Sequence, residues 1–574
     1  MNKILKYLKP YKYFMLAAII LMIVELIVDL MQPAIIADIV DIGVKNKDMT
    51  YILNRSILMI GLSLIGVVGG FISTVMSSYA TQNFSVDLRK DLYQKVQSFS
   101  FVNIEKFKTS SLITRLTTDI TQIQNMIRMI LRMMFRAVLL IIGGFIMAST
   151  LNLAVSSVFI FAIPLILLCF LVVIKKGFPL FVLVQKRLDR VNNVMRENLV
   201  GVRVVKAFVR ADFEENRFKK ANEKLMSITM KGSKIIALLM PLMMLVLNLS
   251  IVGVLWIGGL QFSQGTMTDG QIVAYINYLT RILMALMRLA FGLMAISRAK
   301  ASLQRVGEVL DTEVDLKDDE KAKDIRIEKG KVEFKNVSFK YISDKKEPVL
   351  KDISFVVHPG ETVAIIGATG SGKSTLVNLI PRLYDINEGQ ILIDDMDIKS
   401  YQLKGLRKQI GYVLQEAILF SGTIKENILW GNKKADDKAI MEAAGIAQSH
   451  DFINAFTKGY DTVLGQRGVN VSGGQKQRIS IARALIKKPK ILILDDSTSA
   501  VDMETEAKIQ AGLKKPQYRC TTFIIAQRIS SVIDADKILV LDNGEIIGQG
   551  NHNELLKDNL IYQDIYQSQL GKEA

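Results

Sequence analysis

Long apolar runs fill the first three hundred residues of the chain and stop after them. A helix needs about 20 apolar residues to cross the hydrocarbon core of a membrane. Six runs reach or approach this length, and they predict spans at 14–40, 52–79, 131–150, 153–174, 235–262 and 272–296. The first run follows four lysines but has no small-residue cleavage pattern, so it is interpreted as a retained span and not as a signal peptide.

The two longest connections between these spans, 81–130 and 175–234, are densely charged and still keep helical periodicity. Unstructured loops of this length are uncommon, which favours helices that continue well beyond the bilayer. Short turns near 101–107 and 207–214 would then lie at the tips of these extensions. Since Lys and Arg concentrate in cytoplasmic loops, the charged connections predict that both chain ends are cytoplasmic and that the protein is a multi-pass protein of the cell membrane.

The second part of the chain has a different pattern. A charged stretch, 313–331, reads as a linker, and strand-like segments begin at Val332. We therefore expect three parts: an all-α domain with six spans and long cytoplasmic extensions over 1–312, the linker, and a soluble domain over 332–568. The soluble domain is predicted to be an α/β phosphate-loop domain with an antiparallel β subdomain and a helical subdomain.

Charge and cysteine content argue against nucleic-acid binding and against a fold held together by disulfides. The net charge of +18 is explained by basic cytoplasmic loops, and the interleaved aromatic and basic residues that stack bases are absent, which argues against nucleic-acid binding. Cys169 lies in an apolar span and Cys520 in the soluble half. Two such distant cysteines imply no disulfide framework.

A complete phosphate-loop pattern follows an apolar strand at 361–366 and precedes an apolar helical run. Glycines let backbone N–H groups curl toward phosphates, a lysine reaches the outer phosphates and a hydroxyl holds magnesium. The pattern predicts ATP and Mg²⁺ as cofactors. The residues expected at the nucleotide are Gly367, Thr369, Gly370, Ser371, Gly372, Lys373, Ser374 and Thr375.

Two further motifs belong with this loop. Asp495 ends a four-residue apolar strand, as expected of the second magnesium partner of Ser374. Ser472, Gly473 and Gly474 open a predicted helix, whose amino end offers a second anion-binding position. If this helix end and the phosphate loop lie on opposite sides of one domain, they cannot close on each other, and two domains must enclose two ATP molecules between them.

The order of these motifs resembles the nucleotide-binding domain of an ABC transporter, and the six spans resemble an exporter half-transporter. The resemblance covers the whole chain. It implies that Tyr341 stacks on adenine, that Gln415 contacts magnesium, and that Asp502, in Ser499-Ala500-Val501-Asp502, bridges the two nucleotide domains. It also implies that a signature closes over the partner's ATP, and here that signature is Ser472, Gly473, Gly474 and Gln475.

The chain departs from this family at two catalytic positions. Asp496 stands where the family has the glutamate that orients or deprotonates the attacking water, and Gln527 stands where it has a histidine at the terminal phosphate. A misplacement of about 1 Å can lower a rate about a hundredfold, which is about 2.7 kcal/mol of barrier. We expect this site to hold ATP and hydrolyse it slowly.

Paired losses beside an intact signature predict the degenerate-site subunit of a bacterial heterodimeric multidrug exporter. A second half-transporter would supply the glutamate and hydrolyse ATP against this chain's signature. Three alternatives stay open: a homodimer in which Asp496 is adequate, a lipid or peptide translocase of the same build, and a nucleotide-gated channel or regulator.

The sequence says least about the transported compound. Glu25 and Asp29 share one helical face and Arg281 and Arg288 another, so each pair is expected either to line a passage or to form interhelical ion pairs. Asp41, near the outer end of the first span, is a candidate for an outer gate. Methionines in the fifth and sixth spans suit an apolar surface with loose specificity. The expected partners are membrane lipid and a small hydrophobic substrate.

Overall fold

The computed structural model describes residues 2–341, 347–498 and 501–570 of the chain. These residues form two compact units. The first, called the helical unit, comprises Met1–Gln97 and Ser110–Thr312, and the second, called the sheet unit, comprises Ser98–Thr109 and Glu313–Ala574.

The helical unit contains the six spans that the apolar runs predict. Within the described residues, six helices are long and apolar enough to cross a membrane. They run over Lys6–Val44, Met49–Gln97, Thr109–Leu151, Leu153–Val200, Ala211–Ser263 and Asp269–Leu289. At about 1.5 Å per residue, a helix of 48 residues, such as Leu153–Val200, is about 72 Å long, more than twice the hydrocarbon thickness. The prediction of six spans with long helical extensions is confirmed.

Several of these long helices are made of shorter segments. The α-helices of this part of the chain are α1 Asn2–Leu5, α2 Lys12–Asp38, α3 Met49–Gln97, α4 Phe101–Phe107, α5 Thr109–Thr114, α6 Ile120–Met129, α7 Phe135–Leu151, α8 Leu153–Val200, α9 Val202–Ala207, α10 Ala211–Ala237, α11 Leu239–Ser263 and α12 Asp269–Asp311. A 3₁₀ turn, Lys6–Tyr11, precedes α2, and π-helical turns occupy Ile39–Val44, Arg115–Asp119 and Ile130–Met134.

Buried polar groups inside the helical unit find partners. The fully buried Tyr275 and Tyr278 lie on α12. The Tyr275 hydroxyl donates to Ser156 Oγ at 2.6 Å, and the Tyr278 hydroxyl donates to the carbonyl of Leu30 at 2.7 Å. An unpaired hydroxyl at these positions would cost about 1–3 kcal/mol, so these bonds fix α12 against its neighbours.

The sheet unit is an α/β domain. Its strands are β1 Val332–Phe339, β2 Leu350–Val357, β3 Thr362–Ile366, β4 Glu388–Ile393, β5 Met396–Asp397, β6 Ile410–Val413, β7 Gly422–Thr423, β8 Val463–Leu464, β9 Ile491–Asp495, β10 Thr521–Ile525, β11 Lys537–Asp542 and β12 Glu545–Gly550. Its further helices are α13 Lys373–Leu379, α14 Leu403–Gln409, α15 Ile424–Leu429, α16 Asp437–Ile446, α17 His450–Asn454, α18 Gly473–Leu485, α19 Met503–Leu513, α20 His552–Asp558 and α21 Leu560–Leu570.

The main sheet has the strand order β12-β11-β3-β10-β9-β6. All its pairs are parallel except β11 with β12. In register, Ile525 of β10 lies between Ile365 of β3 and Asp495 of β9. The three central strands therefore end at one edge, where ligands bind in open parallel sheets.

A second, antiparallel sheet has the order β2-β1-β4-β5. Helices α15 to α18 form a helical part whose apolar side chains share one core with one face of the main sheet, including Ile428, Ile453 and Ile479. The predicted combination of a phosphate-loop α/β domain, an antiparallel β subdomain and a helical subdomain is confirmed.

Residues 313–331, expected as a linker, cluster with the sheet unit. The Asp394 carboxylate accepts hydrogen bonds from four consecutive backbone N–H groups of this segment, from Glu328 to Lys331, at 2.8–2.9 Å. The expected turn at 101–107 is the short helix α4, which belongs to the sheet unit with its flanking residues from Ser98 to Thr109, whereas the chain before Ser98 and from Ser110 to Thr312 belongs to the helical unit.

Candidate nucleotide-binding site

The phosphate loop connects β3 to α13 at the ligand-binding edge of the main sheet. Three glycines take positive φ, at 150° for Gly367, 90° for Gly370 and 102° for Gly372. A Cβ on Gly367 would lie 2.0 Å from the carbonyl oxygen of Leu541. Only glycine fits there, because an added methyl group would meet backbone that cannot move aside.

Lys373 is the first residue of α13, and its ammonium group lies inside the loop. Its Nζ donates to the carbonyls of Gly367 at 2.9 Å and Ala368 at 2.8 Å. Burial lowers the pKa of Lys373, and the charges of Asp496 and Asp495 oppose that shift. The amine is thus a half-buried cation held where β- and γ-phosphates bind in phosphate loops.

The rest of the loop divides into an exposed tip and a buried base. Thr369 and Gly370 are exposed at the tip, while Ser371 is buried. The Ser371 Oγ has no hydrogen-bond partner among the described residues. A buried hydroxyl without a partner is costly in a protein interior, and a phosphate oxygen in the loop would satisfy it.

Oxygen donors suited to a magnesium ion meet beside the loop. Ser374 Oγ donates to Asp495 Oδ1 at 2.9 Å. Burial, with the neighbouring Asp496 charge, raises the pKa of Asp495 against the opposing bond from Ser374. A hydroxyl, a carboxylate and phosphate oxygens are the ligands that Mg²⁺ prefers. These residues fit the ion.

Asp496 and Gln527, the two residues predicted to be altered catalytic positions, contact each other. Gln527 Nε2 donates to Asp496 Oδ2 at 2.8 Å, and Gln415 Nε2 donates to the same oxygen at 3.3 Å. Asp496 has a positive φ of 47°, and its N–H donates to the carbonyl of Ile525 on β10. Burial raises the pKa of the Asp496 carboxyl, while the bonds from Gln415 and Gln527 and the charge of Lys373 oppose this.

Tyr341 lies close to the end of the phosphate-loop motif. Its hydroxyl is 3.0 Å from Thr375 Oγ1, and its ring meets the ring of Tyr384 edge-on with centroids 5.2 Å apart. Tyr384 in turn donates its hydroxyl to Glu105 Oε1 of α4 at 3.0 Å. A chain of contacts therefore runs inside the sheet unit from α4 to the nucleotide site. This connection joins residues almost three hundred positions apart, and no sequence pattern predicts it.

The signature residues form the amino end of α18. Ser472 caps the helix, accepting from the N–H of Gln475 at 3.3 Å while its own N–H donates to Gln475 Oε1 at 2.9 Å. Gly473 and Gly474 form the first turn. Since α18 has 13 residues, its amino end carries the positive potential that favours anions.

The structure does not bring the signature to the phosphate loop of the same chain. Within the described parts of the chain, no hydrogen bond or ion pair joins Ser472–Gln475 to that loop. Asp502 caps α19 by accepting from the N–H of Thr505 at 2.8 Å, and this bond lowers the pKa of Asp502. Ser499 and Ala500 lie outside the described residues.

Fold and site together define an ATP-binding membrane transporter of the ABC type. The family description "ABC transporter transmembrane region" matches residues 15–287, and "ABC transporter" matches residues 350–499. The uncharacterized ABC transporter ATP-binding protein YfiB of Bacillus subtilis (strain 168) is 48% identical over 574 residues, which cover 100% of this chain and 99% of that protein. The chain belongs to the ABC transporter family.

Two other similar proteins point to export. A protein of Staphylococcus aureus (strain NCTC 8325 / PS 47), provisionally named a multidrug export ATP-binding/permease protein, is 35% identical, covering 99% of each chain. The structure of a bacterial Atm1-family ABC exporter with ATP bound superposes with a TM-score of 0.81 at 27% identity, covering 98% of this chain and 99% of that one. The chain therefore has the architecture of an exporter half-transporter.

The charged residues predicted inside the spans divide between two environments. Arg136 Nη2 lies 2.5 Å from Asp29 Oδ2 and 3.1 Å from Glu25 Oε1. Arg281 Nη1 donates to the carbonyl of Asp29 at 2.6 Å. The interhelical ion-pair alternative therefore describes Glu25, Asp29 and Arg281, whereas Arg288 lines a cavity. Arg136 was not among the predicted charged residues of the spans, although its position inside the third apolar run marks it as one.

Proposed function

We propose that this chain is the degenerate-site subunit of a heterodimeric ABC exporter that moves hydrophobic, drug-like compounds out of the cell. Its own site binds ATP with Mg²⁺ and hydrolyses it slowly, while Ser472 and its neighbours complete the hydrolysing site of a different half-transporter. The observation that carries the proposal is the hydrogen bond from Gln527 to Asp496. The two positions that depart from the family act on each other, and the amide holds the short carboxylate back.

Each residue of the site has a role in this proposal. Tyr341 stacks on adenine, Lys373 binds the outer phosphates, and Ser374, Gln415 and Asp495 hold the magnesium ion. When bound, the ion neutralises phosphate charge and orients the γ-phosphate. Asp502 bridges to the partner's nucleotide domain.

Asp496 is the poor base in this arrangement. A carboxylate one methylene shorter than glutamate stays about 1.5 Å further from the water it must orient. Its oxygen also accepts two amide hydrogen bonds, which stabilise it where it lies. ATP retained at such a site keeps the two nucleotide domains partly in contact between transport cycles.

The membrane arrangement follows from charge. With basic connections and both chain ends on the cytoplasmic side of the cell membrane, the sheet unit is cytoplasmic. ATP binding then favours closure of the two nucleotide domains and outward opening of the membrane helices, and hydrolysis at the partner's site permits the return. Loose specificity for apolar compounds is supported by methionines that line one small cavity of the helical unit, Met240, Met243, Met244, Met284 and Met287.

The decisive experiment compares a variant of this chain's signature with a variant of its phosphate loop in the assembled heterodimer. In the proposed heterodimer, Ser472→Ala removes a group from the hydrolysing site and should abolish most of the ATPase activity. Lys373→Ala weakens ATP retention at this chain's own site and should leave a large part of the ATPase activity. In a homodimer, both variants abolish turnover. The chain purified alone should hydrolyse ATP weakly; vigorous activity that Lys373→Ala removes would contradict the proposal.

A matched control separates signature function from helix stability. Asp436 caps α16 by accepting from the N–H of Ala439 at 2.9 Å, as Ser472 caps α18. Losing either cap costs about 1 kcal/mol of stability. Asp436→Ala should therefore lower the melting temperature about as much as Ser472→Ala and leave the ATPase rate intact.

A further inference from the structure

A cavity of about 420 Å³ lies in the helical unit between α3, the helical run from α6 to α7, and α12. This volume is in the range of small-molecule binding sites. Its lining contains four arginines, Arg128, Arg132, Arg136 and Arg288, and none of the described acidic side chains. A membrane protein that concentrates positive charge around one cavity has a cavity suited to anions.

One of the four arginines is neutralised from outside the cavity lining. Arg136 pairs with both Glu25 and Asp29, and Arg281 completes this cluster at 3.7 Å from Asp29 Oδ1. Two carboxylates thus face two guanidinium groups. The cluster is balanced in charge and needs no ligand.

The remaining three arginines have no such balance. Arg128 Nη2 donates to Asn125 Oδ1 at 3.0 Å, which is a neutral partner. Among the described residues, no carboxylate pairs with Arg128, Arg132 or Arg288. These three cations therefore give the cavity a net positive charge.

Two of these cations, Arg132 and Arg288, lie at one depth, and Arg128 lies about 6 Å further from the outer end of its helix. A rise of about 1.5 Å per residue puts Arg132 about 28 Å from the end of α7 at Leu151, and puts Arg288 about 28 Å from the start of α12 at Asp269. Both helices begin or end at the same side of the spans. Since the hydrocarbon core is about 30 Å thick, both guanidinium groups belong at its opposite boundary, where the headgroups of one leaflet lie.

The cavity becomes apolar away from that boundary. Arg128, Arg132 and Arg136 recur every four residues and share a helix face, and the same face continues with Ala137 and Leu140, which also line the cavity. Along the helix, Leu140 is about 18 Å from Arg128. One end of the cavity therefore carries positive charge and the other end carries hydrocarbon.

We propose that this cavity binds an anionic amphiphile. Its phosphate, sulfate or carboxylate group meets Arg128, Arg132 and Arg288, whose planar guanidinium groups match such oxyanions, and its apolar chain lies along Ala137 and Leu140. This rests on the proposed export function and deepens it, because it names the substrate class. A bilayer lipid and a free compound share this chemistry.

The test is binding of dodecyl phosphate to the full-length protein in phosphatidylcholine nanodiscs without ATP. Replacing the three arginines together by glutamine should weaken binding about tenfold or more, and added salt should weaken binding to the unmodified protein. Replacing Arg190, Arg196 and Arg203, three exposed arginines of α8 and α9 outside the cavity, together by glutamine removes the same charge and should change nothing. The triple lysine variant keeps the charge and should retain most of the affinity, which separates lost charge from lost packing.

Three results would overturn the inference: unchanged affinity in the glutamine variant, equally tight binding of dodecyltrimethylammonium to the unmodified protein, or inorganic phosphate competing as well as dodecyl phosphate. Nanodiscs containing phosphatidylglycerol identify the source. If phosphatidylglycerol competes with dodecyl phosphate for the unmodified protein but not for the glutamine variant, the occupant is a bilayer lipid. If phosphatidylglycerol does not compete with dodecyl phosphate, the occupant is a free compound. Because binding is measured without ATP, the result does not depend on the nucleotide site. The proposed heterodimer with one degenerate site can be wrong while the cavity still selects anionic amphiphiles, and the cavity proposal can be wrong while the heterodimer proposal is right.

Discussion

Lengthening one side chain tests whether the retracted carboxylate limits turnover. In Asp496→Glu, the carboxylate advances by one carbon–carbon bond, about 1.5 Å. Recovering a misplacement of about 1 Å is worth about a hundredfold in rate, or about 2.7 kcal/mol. The advancing group must leave Gln527, whose amide donates to Asp496 at 2.8 Å, and a hydrogen bond of this kind contributes about 1 kcal/mol.

The net gain is therefore about 1.7 kcal/mol, or about twentyfold. The double variant Asp496→Glu with Gln527→Ala removes the competing amide and should approach the full hundredfold. Asp496→Asn keeps an oxygen for both amides but carries no charge, so it should show no gain.

The assay measures phosphate release by the assembled pair after the catalytic glutamate proposed for the partner has been changed to glutamine. The remaining turnover then belongs to this chain's site, and Lys373→Ala should remove it. If Asp496→Glu leaves that turnover unchanged while Lys373→Ala abolishes it, the length of the carboxylate does not limit hydrolysis and our reasoning fails.

Three further predictions concern stability and coupling. Because burial raises the pKa of Asp496, its ionised form destabilises the fold, and Asp496→Asn should raise the melting temperature at pH 8. This gain should shrink as pH falls through the raised pKa and vanish below the ordinary pKa of an aspartate, where the carboxyl is protonated in the folded and the unfolded protein; a gain that is constant with pH would contradict the sign. Asp41 accepts from Thr268 Oγ1 at 2.5 Å, so Asp41→Ala should alter transport without weakening ATP binding, and an unchanged transport rate would remove Asp41 from gating. Tyr384→Phe deletes the hydrogen bond to Glu105 and should reduce substrate-stimulated ATPase activity several-fold while ATP affinity is retained. An equal loss of ATPase activity and of ATP affinity would indicate that Tyr384 has a structural role only.

Local sequence was sufficient where chemistry depends on neighbours in the chain. The phosphate loop needs glycines at fixed positions between a strand and a helix, so Gly367 and Lys373 could be identified without a fold. Apolar runs of sufficient length likewise predicted six spans, since a helix satisfies its backbone hydrogen bonds within one segment of the chain.

Other features required residues far apart in sequence. The turn expected at 101–107 is a helix capped by Ser100 that belongs to the sheet unit, because Glu105 and its neighbours pack there on residues that come more than two hundred positions later. Of the two alternatives for Glu25 and Asp29, a passage or interhelical ion pairs, the structure has the ion pairs, since Arg136 of another helix reaches both carboxylates.

Apolar runs and the order of the motifs were sufficient to establish six spans and one ATP site of the ABC type, and they predict altered catalytic positions at Asp496 and Gln527. Only the tertiary structure decided that those two positions touch, because the parallel order of β9 and β10 brings Asp496 and Gln527 to one edge. The fold also determines that Arg136 is paired with carboxylates, whereas Arg128, Arg132 and Arg288 line the cavity with no such partner among the described residues. Motifs specify chemistry along the chain, whereas the balance of charge depends on which helices and strands become neighbours.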